Sequence, residues 1–246
     1  MHCENIDVFI SAHSFLEEDL RGKTAVVIDV LRASSTIVTA LHNGAKGVIP
    51  VESVDAAGQM ARNLDSPNYL MCGEKGGVII EGYDLGNSPH EYTPDAVRGK
   101  TIIFNTTNGT KAVKRSMRAE KILIGSFLNL GVLIDTLRNE DNEIVLVCAG
   151  WRGRLSMEDL LCAGNIIYEL TGGELPNDGL DGAKVAFGLF EKFGNDVESV
   201  LRNSNHAQRL QNLIETDDIG FCCQIDTMEI LPVLKEGIIS NAHGKQ

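Results

Sequence analysis

The sequence predicts an α/β protein, a layered α/β/α arrangement around a mixed sheet. Three observations lead there. Apolar runs at 25–28 (AVVI), 101–104 (TIIF) and 143–147 (EIVLV) have the composition of strands buried on both faces. Each run leads through a polar loop into an apolar-patterned helix. Two of these units can also be laid over one another: 44–49 matches 118–123 in pattern, and 34–36 falls near 108–110. This weak internal repeat suggests two similar lobes within one domain, 1–246, with a boundary near 126–142 and a site in the cleft between them.

Taken in order, residues 4–10 (ENIDVFI) read as a first strand and 13–20 (HSFLEEDL) as a short surface helix. The strand at 25–28 enters a helix that runs to about His42 and stops at Asn43-Gly44. A strand at 46–51 and a helix at 54–63, capped by Ser53, come next. A short strand at 68–72 (NYLMC) ends in Gly73-Glu74-Lys75-Gly76-Gly77. Residues 81–89 (EGYDLGNSP) show no strand or helix period and read as a functional loop. The strand at 101–104 feeds a polar loop, a helix at 111–118 and a strand at 121–125. The strand at 143–147 leads through a loop to a helix with Leu160, Leu161, Ala163, Ile166 and Ile167 on its apolar face. Residues 174–182 form a loop with two aspartates. Helices follow at 182–193, 196–203 and 208–215. Residues 230–234 (ILPVL) close the ordered chain, and 240–246 read as a frayed tail.

Bulk properties narrow the function. A net charge of −12 over 246 residues argues against a nucleic-acid or anionic-membrane surface. No run approaches the length of a membrane-spanning helix, and the N-terminus lacks the charged and apolar regions of a signal peptide. The six cysteines form no CxxC pair and no zinc spacing, so they read as reduced thiols of a cytoplasmic protein. A homodimer is the expected assembly on the prevalence of such oligomers.

Four segments carry chemistry. In 28–36 (IDVLRASST), Asp29 could hold a divalent cation. Arg32 could fork onto a phosphate, sulfonate or carboxylate, and Ser34 and Ser35 sit at a helix start. The same residues could equally cap the helix, with Arg32 paired to Asp29. In 72–89, Glu74 could be a metal ligand or a base, and Lys75 could touch an anion; the plainer reading is a tight turn. Asn105, Thr106, Thr107, Asn108, Gly109 and Thr110 are more polar residues in succession than a cap needs. After Cys148, Arg152 and Arg154 on a glycine-bearing loop make an anion clamp. Cys148 and Arg154 also have the spacing of a cysteine-phosphatase loop, although a strand-end Cys is more often a small buried hydrophobe. His206 could orient a ligand or act as an acid, and a single His near a helix start is usually neither.

In this order and at these spacings, IDVLRASST, CGEKGG…EGYDLGNSP, FNTTNGT and CAGWRGR…SMEDLLCAG resemble the 2-phosphosulfolactate phosphatase family. The similarity runs from about Ile28 to Pro232 and takes in Ser204-x-His206, with Ala207 where the family often has Gly, and Asp218-Ile219…Cys222…Asp226. The resemblance implies a Mg²⁺-dependent phosphomonoesterase that converts (2R)-2-phospho-3-sulfolactate to 3-sulfolactate and phosphate. In methanogens that step serves coenzyme M biosynthesis. On this reading Asp29, Glu74 and Asp84 are the metal carboxylates, and the base is Asp29, Glu74 or Glu81. Arg32, Arg152 and the 105–110 amides and hydroxyls hold the anions of a small phosphate ester. Direct attack by water is expected, since Leu31 stands where a D-x-D-x-T aspartyl-phosphate motif needs its second Asp. The competing readings are a non-catalytic binder of small organic anions and a Cys148 nucleophile assisted by Arg154.

Overall fold

The computed structural model describes residues 6–63, 68–175 and 180–242. Its strands are β1 (Ile6–Phe9), β2 (Thr24–Ile28), β3 (Gly47–Val51), β4 (Tyr69–Lys75), β5 (Val78–Ile79), β6 (Thr101–Asn105), β7 (Lys121–Gly125), β8 (Ile144–Cys148), β9 (Pro232–Lys235) and β10 (Ile238–Asn241). They join in one sheet, in the order β1-β8-β2-β7-β9-β10-β3-β6-β4-β5. One flank, β1-β8-β2-β7, is entirely parallel. The other, β3-β6-β4, is parallel too. The β9–β10 hairpin lies between them and meets each flank at a single residue pair, Leu123↔Val233 and Val48↔Ile239. Three antiparallel steps separate the flanks, so their strands run in opposite senses.

Every residue of β2, β3 and β8 is buried, as strands covered on both faces require. Alternate residues of β2 enter different cores. Val26 and Ile28 pack with Leu133 of α5 (Leu130–Arg138) and Leu160 of α6 (Met157–Thr171), while Val27 packs with Val38 of α1 (Ala33–His42). The sheet is therefore covered by helices on both sides, the layered mixed α/β arrangement that the sequence predicts.

The two repeated units have a specific place here. From β2, α1 carries the chain across to β3 in the other flank. From β6, α4 (Gly109–Arg115) carries it back to β7. The flanks are thus interleaved along the chain, and the two crossing helices meet. A Cβ on Gly109 would lie 2.5 Å from the Cβ of Ala33.

Two sequence expectations change. Residues 240–241, expected in the frayed tail, instead complete β10 at the middle of the sheet, with Ile239 of that strand fully buried. The glycine-rich stretch after Cys72 is not a loop at its start. Strand β4 continues through Gly73 and Glu74 to Lys75, which pairs with Val78 across Gly76-Gly77. Both turn glycines have positive φ, +67° and +93°, as a two-residue hairpin turn demands. The tail at 243–246, Asp178 of the 174–182 loop, Cys3 and the first two residues of the predicted opening strand lie outside the described residues.

Gly73 has φ +141°, and a Cβ there would fall 1.9 Å from the Asn105 carbonyl oxygen. Gly73→Ala must therefore part the ends of β4 and β6. We expect a loss of about 2 kcal/mol or more in urea unfolding; an unchanged midpoint would contradict this packing.

Candidate active site

The site starts where β2 ends. Asp29 donates its backbone N–H to Ser34 Oγ at 2.9 Å, and Ser35 Oγ donates to the Val30 carbonyl at 2.9 Å. Both hydroxyls fold the turn into α1 and are not free for an anion, which corrects the expectation for Ser34 and Ser35. Asp159, in the first turn of α6, ties this turn to the next strand end. Its Oδ1 accepts from Val30 N at 2.9 Å and its Oδ2 from Gly150 N at 3.0 Å.

Arg32 is buried, and its fork is already engaged. Nη1 meets Asp218 Oδ2 at 2.7 Å, and Nη2 donates to the Gly77 carbonyl at 2.9 Å. Asp218 lies in α10 (Asp218–Cys222), and its other oxygen accepts from Ser88 Oγ at 2.6 Å and Thr216 Oγ1 at 2.7 Å. The EGYDLGNSP loop therefore serves the site through Ser88 and Asn87, not through its carboxylates. Asp84 is exposed, and its Oδ2 caps Met71 N at 2.8 Å. Glu81 is exposed and outside the cavity. The structure does not bring either to Asp29, which corrects their assignment as metal ligand and base.

Glu74 is brought to Asp29. The two carboxylates line one cavity of about 120 Å³. Glu74 also joins two loops, since Oε1 accepts from Thr107 N at 2.7 Å and Oε2 from Gly77 N at 2.5 Å. Three arginines share the cavity: Arg32, Arg152 and Arg209. Arg209 lies in α9 (Asn205–Gln211) and donates to the Gly76 carbonyl at 2.7 Å. Arg152 adopts φ +54° in a turn closed by Trp151 N→Arg154 O at 2.9 Å, and its guanidinium lies 4.6 Å from the Trp151 ring centroid. Thr107, Asn108 and His206 complete the wall. The loops after β2, β6 and β8 thus converge, as expected.

The remaining expected residues lie nearby or elsewhere. Lys75, Asn105, Thr106 and Thr110 line a neighbouring cavity of about 330 Å³ that shares Glu74 and Thr107 as its wall. Thr106 and Thr110 hydrogen-bond each other's backbone. Gly109 leaves room for Asp29 Oδ2, which lies 2.8 Å from where a Cβ would stand. Cys148 is wholly buried, and burial together with Asp159 pushes its thiol well up. Arg154 is exposed and outside the cavity. A Cys148 thiolate served by Arg154 is therefore ruled out by placement. The described cysteines are all free, consistent with reduced thiols.

Burial pushes Asp29 up to about 6. The nearby His206 ring opposes the rise, Glu74 and Glu158 add to it, and the Ala33 N–H opposes it. Burial also raises Glu158, but the His206 hydrogen bond at 2.6 Å and its charge outweigh that and hold Glu158 low. Glu158, Asp159 and Arg209 were not singled out as site residues from the sequence, while Asp218 and Asn87 fell in segments that carry the resemblance without a role of their own. Glu158 and Asp159 read there as dipole-matched residues of a helix start, which they also are.

Among the described residues, no three His, Cys, Asp or Glu side chains are grouped as a metal site, and no helix is long and apolar enough to cross a membrane. Mg²⁺ commonly takes one or two carboxylates and fills its shell with water and phosphate oxygens. Asp29 and Glu74 fit that pattern, and Asp29 is a buried carboxylate short of positive partners.

A carboxylate pair and an arginine cluster around one small cavity suit an enzyme of anionic esters. A family model described as 2-phosphosulpholactate phosphatase matches residues 10–237. A protein of Caldanaerobacter subterraneus subsp. tengcongensis is 41% identical over 95% of this chain and 97% of its own. One of Thermotoga petrophila is 44% identical over 88% and 91%, and one of Clostridium beijerinckii 37% over 96% and 98%. Each is described as "Probable 2-phosphosulfolactate phosphatase". The class is that of the phosphoric monoester hydrolases. Within it, the chain belongs to the 2-phosphosulpholactate phosphatase family.

The raised Asp29 pKa has a definite consequence for stability. The folded state binds the Asp29 proton more tightly than the unfolded state does, so ionised Asp29 costs stability. The cost is absent below about pH 4, grows from pH 4 to 6 and is complete above, at roughly 3 kcal/mol for two pKa units. In chelator, Asp29→Asn should raise the unfolding free energy at pH 7 by up to that amount and leave it unchanged near pH 4. Urea titrations at the two pH values check this; a gap that does not change with pH would contradict it.

Proposed function

We propose that this chain hydrolyses (2R)-2-phospho-3-sulfolactate, or a close 2-phosphorylated organic acid, to the alcohol and phosphate with Mg²⁺. The observation that supports the reading is one cavity lined by both Asp29 and Glu74 and by Arg32, Arg152 and Arg209. The ester has phosphate, sulfonate and carboxylate groups, and separate arginines suit separate anions.

Asp29 and Glu74 would hold Mg²⁺, which supplies neutralisation of the phosphoryl oxygens. Donors fixed before the reaction, aimed at charge that develops on phosphorus, carry most of such catalysis. Arg32 is the most rigid of them, locked by Asp218 and Gly77. Arg152 and Arg209 stand nearer solvent and suit the distal acid groups. Asp29, the buried carboxylate of the pair, is the acceptor in this reading for the proton of the attacking water.

The test is phosphate release from racemic phosphosulfolactate with Mg²⁺ and with EDTA. We expect release that requires Mg²⁺, and Asp29→Asn should lower turnover at least about 100-fold. Release that survives EDTA, or an Asp29→Asn protein with wild-type turnover, would overturn the reading.

A further inference from the structure

The cavity holds one side chain built to move a proton. His206 lies in the first turn of α9, where Ser204 caps the helix by accepting from Ala207 N at 3.1 Å. Its Nδ1 lies 2.6 Å from Glu158 Oε1. Glu158 is fully buried, and its second oxygen has no hydrogen-bond partner among the described residues. A carboxylate so placed has one evident task, to accept from Nδ1. The ring is fixed from its face as well, since Trp151 stacks on it at 5.3 Å with 20° between planes. Nε2 then remains as the ring's free nitrogen on a side chain that lines the cavity. A buried carboxylate behind an imidazole whose other nitrogen meets the substrate is the arrangement that sets tautomer and direction in acid–base catalysis.

We propose that His206 is the general acid of the reaction and that Glu158 is its positioning residue. The inference rests on the phosphatase reading above. The alkyl ester needs such help, because its leaving oxygen departs as a strongly basic alkoxide. As the bond from phosphorus to that oxygen breaks, the oxygen keeps the electron pair and takes the proton from Nε2. The attacking water forms the new P–O bond and gives its proton to Asp29. Solvent exchange then returns a proton to His206. Glu158 holds Nδ1–H and stabilises the charged ring before transfer. The other charged groups on the cavity are Asp29 after β2, Glu74 on β4, Arg32 before α1, Arg152 on the turn after β8 and Arg209 on α9 itself.

The leaving group discriminates this role from a structural one. His206→Asn, Glu158→Gln and wild type are compared on 2-phospholactate, an alkyl ester, and on 4-nitrophenyl phosphate, whose phenolate leaves without a proton. Wild type should hydrolyse both; hydrolysis of neither would overturn the inference, and failure on phosphosulfolactate as well would overturn the phosphatase reading. His206→Asn should lose at least about 100-fold in kcat on the alkyl ester and less than about 10-fold on the aryl ester, with KM little changed. Glu158→Gln, which keeps an oxygen for Nδ1–H but not its charge, should show the same selective loss to a smaller degree. An equal loss on both esters for His206→Asn, or no loss, would overturn the proposal. Thermal melts of both variants identify misfolding, which depresses the two esters alike and cannot imitate the selective loss.

Discussion

Arg32 and Asp218 meet at 2.7 Å with side chains 3% and 0% exposed, and the walls of the cavity depend on that pair. Arg32 stands between β2 and α1. Asp218 begins a helix 186 residues later and gathers Ser88 and Thr216 on its other oxygen. The second arm of Arg32 holds the Gly77 carbonyl at the β4–β5 turn. One guanidinium thus fixes three segments from both flanks of the sheet. Buried pairs are costly to desolvate, and each partner is costly to strand once the other is removed. The return on that cost is position: an arginine that cannot swing away from the cavity.

Around this strut the charges are arranged unequally. Arg32 is compensated by Asp218, and Glu74 by two backbone N–H groups. Asp29 has only a long contact from Ala33 N at 3.4 Å, with Glu74 and Glu158 adding negative charge nearby. Of the two carboxylates on the cavity, Asp29 is the less satisfied, which suits a cation and a phosphoryl group there. An overall charge of −12 does not prevent an anion from binding, because Arg32, Arg152 and Arg209 act at close range while distant charges are screened within about 10 Å.

The strands were legible because each is a short apolar run bounded by polar residues, and parallel strands buried on both faces leave that signature. The repeat at Ser34–Thr36 and Asn108–Thr110 marked two crossing units that meet at Ala33 and Gly109. The hairpin β9–β10 was not legible: residues 238–241 are short, and only a central slot in the sheet makes a strand of them. Among site residues, Asp29, Thr107, Asn108 and Arg152 follow strand ends, Glu74 lies at the end of a strand before a glycine turn and His206 sits in a helix's first turn, so local pattern pointed to them. Asp84 carried the same local signal and went elsewhere, to the Met71 backbone. Asp218 and Glu158 give no local signal of function, since each suits a helix start for ordinary reasons. Their roles arise from partners 186 and 48 residues away.

The strut itself is the feature to measure. Asp218→Asn keeps the shape and removes the charge that holds Arg32. Urea unfolding and phosphate release in the presence of Mg²⁺ should be followed together on this variant. A loss of about 3 kcal/mol in stability, with turnover reduced at a temperature where the protein remains folded, is the expected result. Unchanged stability and unchanged turnover would show that Arg32 is held by other means and that the cavity does not depend on the pair.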